Sequence, residues 1–233
     1  MRLLIFFLLL VTATIHGHAQ NAKTYLVRAG ESPDMILPQE AKYFFPAFTE
    51  GTVFMKDKSS SRQRLNYSKL LDEMQFLTVT GDTLAIANAD LVEHIVIDTF
   101  SFYFHKGYLR KVAQEKEYVL AARELMIQIP QGKEIGYGAS IATGSITNYA
   151  RITTGDGKQY ALTVKKDVLF TTARAFFIGD RYNHFNRADK KGFADMFPRK
   201  RDAIASFIKN EKPNLNDAGD IEKLFRFCTK EPG

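Results

Sequence analysis

The sequence predicts a mainly β protein with a C-terminal helical appendage (α+β), its strands forming an antiparallel sheet, a sandwich or an open barrel-like sheet. Three observations carry this. Short runs of strand-forming residues alternate with turn residues from Gly51 to about residue 180. Phe100, Phe102 and Phe104 alternate with Ser101, Tyr103 and His105, the period of two that places one set on each face of a strand. Beyond Arg187 the apolar residues change to helical spacing.

The N-terminus, MRLLIFFLLLVTATIHGHAQN, reads as a signal peptide. Arg2 precedes an apolar run from Leu3 to Val11, and Gly17-His18-Ala19 supplies the small residues that a signal peptidase admits. Cleavage is expected after Ala19. A retained anchor is the alternative, but a span needs about 20 apolar residues, and His16 and His18 would fall in lipid. The chain then divides into a leader at 1–19, an N-terminal extension at 20–48, a β-rich domain at 49–180 and a helical tail at 187–230. Loss of Arg2 lowers the formal charge from +6 to +5, a mild field. Export disfavours nucleic acid as a partner, and no membrane span is expected after cleavage. The single cysteine, Cys228, rules out an internal disulfide and lies on an apolar helical stripe, where it reads as a small buried hydrophobe.

In chain order, TYLVRAG reads as a short strand. The next stretch is broken by Pro33, Pro38 and Pro46, and its aromatics suggest a segment laid across a core. TVFMKD and RQRLNY read as strands joined by a polar loop, and SKLLD is a tight connection into DEMQFLTVTGDTLAI. There Gly81 and Asp82 form a hairpin turn, and Asp72 and Glu73 stand at a strand entrance, so all three carboxylates read as structural. With Asp98-Thr99 as a loop, Ile97 pairs with Phe100 and Ile95 with Phe102. EKEYVLAARELMIQIP fits both helical and strand patterns, and its β-rich context tips the reading to strand. Four glycines crowd 132–144, NYARITT and QYALTV form a hairpin, and DVLFTTARAFFIG adds one or two strands. Pro198 opens a helix, Asn216 or Asp217 caps another, and Ile221, Leu224, Phe225 and Cys228 form its buried stripe.

The stretches GTVFMKD, LNYSKLLDEMQF, GDTLAIAN, MFPRKRDAIASFIK and DIEKLFRFC together resemble a group of uncharacterised exported bacterial β-rich proteins. Those share a KDG-like turn, an LNY…EMxF hairpin and a C-terminal helix pair. The resemblance covers roughly half of the chain after the leader, in two blocks, and departs at KDKSSSRQ, where the group has a tighter glycine turn. It implies a β-rich exported protein with a helical tail and no particular activity, so no functional residue is carried over.

Among polar constellations, His94, Tyr103 and His105 stand out. In the assumed register His94 faces Tyr103 and lies diagonal to His105, about 7–8 Å away. A catalytic zinc takes three protein ligands; no third ligand stands at a telling spacing, and there is no HExxH. GYGASIATGS lacks the spacing of a nucleotide loop or a nucleophile elbow. The cluster Arg187, Lys190, Lys191, Arg199, Lys200, Arg201 is diluted by Asp189, Asp195 and Asp202. Most strands are shorter than the 9–11 residues or so of a membrane barrel. The expectation is a non-catalytic protein, periplasmic or secreted, without cofactor or metal, binding an envelope protein or surface glycan. The alternative is a cryptic hydrolase or metal-dependent enzyme built on the His94/Tyr103/His105 face.

Overall fold

The computed structural model describes residues 23–129, 151–153, 159–161 and 163–230. The expected leader, the glycine-dense stretch and the Gly155-Asp156-Gly157 turn lie outside them.

The described chain opens with β1 (Thr24–Val27) and two single-turn helices, α1 (Pro33–Ile36) and α2 (Gln39–Lys42). The prolines expected to interrupt regular structure here punctuate it instead. Pro33 occupies the first turn of α1, where its missing N–H is no loss, and Pro38 precedes α2. Next come β2 (Thr49–Met55), β3 (Ser60–Ser68), β4 (Glu73–Leu77) and β5 (Thr83–Ala85), a ladder of successive hairpins. After it β6 (Val92–Ile97) returns to the free edge of β2, and β7 (Phe100–Phe104), β8 (Tyr108–Glu115) and β9 (Tyr118–Ile129) extend the sheet on that side. The expected pairing of Ile95 with Phe102 and of Ile97 with Phe100 is present, turned through Asp98 at a positive φ of 53°. A separate two-stranded piece, β10 (Arg151–Thr153) with β11 (Gln159–Ala161), carries the expected hairpin.

The one long strand β12 (Val168–Gly179) pairs with β9 from Leu169↔Ile129 to Gly179↔Val119. On its other edge β12 takes β1 and the short β13 (Phe185–Arg187). The result is an antiparallel sheet of 11 strands in the order β1-β12-β9-β8-β7-β6-β2-β3-β4-β5, with β13 beside β12. It does not close into a barrel. It does fold back on itself: Met126 N of β9 donates to Lys69 O, just past β3, at 2.9 Å. The main core lies in this fold, where Val53, Leu65, Tyr67, Ile95, Ile97 and Phe102 meet Leu125, Ala173 and Ala175.

Strand β9 explains its own ambiguity. Leu120 and Ala122 face the C-terminal helices, whereas Val119 and Ala121 face Leu109 and Phe185. A strand buried on both faces has no polar side to alternate, so its pattern cannot be told from a buried helix.

The tail holds α3 (Lys190–Met196), a 3-10 turn at Pro198–Lys200, α4 (Arg201–Glu211) and α5 (Ala218–Thr229). Asp189 caps α3 by accepting from Gly192 N, and Asp217 caps α5 by accepting from Gly219 N and Asp220 N. Phe193, Ile204, Ile221, Leu224, Phe225 and Cys228 are buried against Phe176, Ile178, Leu120 and Ala122. Lys200 Nζ donates to Cys228 O at 2.8 Å and ties the end of α5 to the 3-10 turn. Helices of this length are marginal alone in water, so docking on the sheet supplies most of their stability. Among the described residues no helix is long and apolar enough to cross a membrane.

Phe225→Ala is expected to cost about 3–5 kcal/mol, read as a lower urea midpoint. Burial pushes the Cys228 thiol up to about 12. A thiol reagent should therefore label native protein far more slowly than unfolded protein. Equal rates would mean that α5 is not docked.

Candidate functional site

His94, Tyr103 and His105 come to lie in one array of rings. The His94 ring stacks on Phe54 of β2, 4.5 Å between centroids and 12° between planes. It is 6.4 Å from the Tyr103 ring. Tyr103 and His105 each meet Phe185, at 5.6 and 5.9 Å. His105 also lies 6.3 Å from Phe177 of β12. Phe54, His94, Tyr103, His105 and Phe177 are half-buried, and Phe185, packed on Leu109, Val119 and Ala121, is buried. The array forms a shelf that crosses the sheet from β2 to β12.

A short loop holds the shelf's inner end. Asp180 accepts from Tyr182 N and His184 N at 2.9 Å each, and Asn183 takes a left-handed conformation. Asn183 Nδ2 then reaches Glu93 O on β6 at 3.3 Å, carrying the loop across the sheet. Phe185 reaches its seat because Gly179 has no side chain; a Cβ there would lie 2.4 Å from the Phe185 ring. That glycine, inside an apolar strand pattern, was the sequence signal for a close approach.

Burial lowers the pKa of both His94 and His105. Lys111 and Lys58 reinforce the effect at His94 against Glu93, and Arg123 and Lys106 reinforce it at His105. Both imidazoles are therefore neutral at neutral pH. Among the described residues no group of three or more His, Cys, Asp or Glu is placed to hold a metal ion. His184 does pair with a carboxylate, Asp180, at 3.0 Å, but it is exposed and belongs to the loop just described.

Behind the shelf is a node that sequence reasoning missed. Asp72, expected at a strand entrance, is largely buried. Its Oδ1 accepts from Tyr67 OH at 2.8 Å and from Tyr108 N at 3.2 Å, and its Oδ2 lies 3.8 Å from Arg123 Nε. Arg123 Nη2 donates to His105 O at 2.5 Å. Gly107 has φ +127°, and a Cβ on it would sit 2.1 Å from Asp72 Oδ2. The node thus clamps the β3–β4 turn to the tip of the β7–β8 hairpin and fixes the backbone that carries His105. Asp72 and Arg123 are 51 positions apart in sequence, so local pattern carries no trace of their pairing.

The basic cluster is dispersed. Arg187 lies over the Phe177 ring at 5.7 Å, Lys200 caps α5, and Arg201 approaches Asp195 at 4.0 Å. The glycine-rich stretch GYGASIATGS lies outside the described residues. No protein-family model, curated protein or solved structure matches this chain.

Burial raises the Asp72 pKa more than Arg123, Tyr67 and the Tyr108 amide lower it. A carboxyl raised in the fold takes up a proton on folding, so its contribution favours the fold at low pH and is lost as pH rises through the folded value. Removing the guanidinium strips away the main opposing charge and raises that value further. Arg123→Met should therefore cost about 3–5 kcal/mol at neutral pH, and the deficit should shrink on acidification. Denaturant titrations at several pH values check this; a deficit independent of pH would refute the pairing.

Proposed function

We propose that this protein is exported and works by binding rather than catalysis, taking an envelope partner or surface ligand on the ring shelf of Phe54, His94, Tyr103 and His105. The observation that carries the reading is the shelf itself. Rings from three strands lie half-buried in one array, with Phe185 against Tyr103 and His105 and Arg123 holding the His105 carbonyl. A cluster of half-exposed aromatic rings on a rigid sheet presents contact area that loses little conformational freedom on binding. The leader-like residues 1–19 support export, and the resemblance to exported β-rich proteins is in keeping with it. Two neutral imidazoles seated among aromatic rings fit a binding face.

A footprint tests this. Neutral imidazoles are modified by diethyl pyrocarbonate, and exposed His184 supplies an internal control. Envelope extract is expected to protect His94 and His105 but not His184, as read by mass spectrometry. Unchanged labelling of all three would overturn the reading. So would turnover of an ester or glycoside that is lost in His94→Ala.

A further inference from the structure

At one end of the sheet β5 has a free edge. Ile86 N donates to Met74 O and Thr78 N to Asp82 O, each at 2.9 Å, with Phe76 opposite Leu84 between them. In an antiparallel ladder this alternation turns the main-chain groups of Asp82, Leu84 and Ile86 toward β4, and the N–H and C=O of Thr83 and Ala85 away from it. Among the described residues no strand pairs with that outer side. Its residues do not guard it either. Edge strands are commonly protected by a lysine, a proline or a bulge, whereas residues 83–89 carry no charge and no proline. β1, at the opposite edge, is bracketed by Lys23 and Arg28. The core face also ends open at β5. Leu65, Phe76 and Leu84 stand opposite one another in turn and so share one face. Leu65 is fully buried, Phe76 is half-buried against the main core, and Leu84 is 43% exposed.

We propose that two copies of this chain pair antiparallel through the free edge of β5, with Leu84 opposite Leu84 at a two-fold axis. Main chain and side chain are complementary in that one register. Thr83 of each copy meets Ala85 of the other, and each such pair exchanges both of its N–H···O bonds through the groups that point outward. The two Leu84 side chains then lie on one face, so the row Leu65, Phe76, Leu84 runs on into the same row of the second copy. Asp82 falls opposite Ile86, so no like charges are opposed. The edge lacks main-chain partners and an apolar residue beside Leu84, and this uncharged strand supplies both to its own copy. The same patch used on both copies is the isologous contact that two-fold dimers make. So short a joint is small beside the roughly 1,200–2,000 Å² of a stable interface, and the dimer is therefore weak and concentration-dependent.

The test uses the full chain without its leader. Sedimentation equilibrium over rising concentration is expected to show a monomer–dimer equilibrium. Ala85→Pro removes an outward N–H and leaves the bonds to β4 intact, and Leu84→Lys sets two like charges together at the axis. Each should weaken the dimer by about tenfold or more. Circular dichroism and the urea midpoint show whether each variant remains folded, and Leu84→Lys, at an exposed position, keeps the test decisive if Ala85→Pro does not. A trap reads the register. Opposed residues of a non-hydrogen-bonded pair lie about 4.5 Å apart at Cα, within disulfide reach. In a Cys228→Ser background, Leu84→Cys should therefore link two copies on oxidation, whereas Val79→Cys, fully exposed but off the axis, should not. A dimer that neither β5 variant weakens would overturn the edge as its joint. A chain that stays monomeric at every concentration and yields no Leu84→Cys disulfide would overturn the inference. In that event, envelope extract that protects the Thr83 and Ala85 amides from hydrogen exchange would assign the edge to a foreign strand.

Discussion

The pairing of β9 with β12 is the constraint on which the rest of the molecule depends. These two strands pair over almost their whole lengths, and both faces of their upper half are covered. On one face Leu120, Ala122, Phe176 and Ile178 form the floor for α3, α4 and α5. On the other, Val119 and Ala121 lie under Phe185. Toward the opposite end, Met126 and Phe170 anchor Leu37 and Ala41 of the N-terminal segment. Each flanking piece is too small to bury its apolar face alone, so each takes its stability from this pair of strands.

The shelf and the buried node are coupled through one turn. Arg123 holds the His105 carbonyl and faces Asp72, and Gly107 leaves the room that both side chains need. The guanidinium also lies over the Phe177 ring at 5.5 Å, so one cation touches both the clamp and the shelf. The node is not fully satisfied. Among the described residues Tyr108 OH and Arg123 Nε find no hydrogen-bond partner, each a cost of about 1–3 kcal/mol. Such a network specifies position more than it adds stability. Its position here fixes where the β7–β8 tip sits, and hence where His105 and Tyr103 present their rings.

Much of the local structure was legible because it rests on short-range rules. The alternating phenylalanines gave the β6–β7 register, Asp217 the cap of α5, and the four-residue stripe from Ile221 to Cys228 its buried face. The site was legible only in part. Period two placed His94, Tyr103 and His105 on a common face, but Phe54, Phe177 and Phe185 come from strands far away in sequence. Asp72 stands at the entrance of β4 as a structural carboxylate, as expected, but its partners Tyr108 and Arg123 lie far off in sequence and were not legible.

The sequence by itself determined the class of the fold, the positions of the turns and the amphipathic helices at the end, since each follows from residues within a few positions of one another. Only the tertiary structure decided the order of strands, the return of β12 to β9 and the assembly of the shelf and its clamp. Those features depend on which distant surfaces bury one another, and no local periodicity encodes that choice.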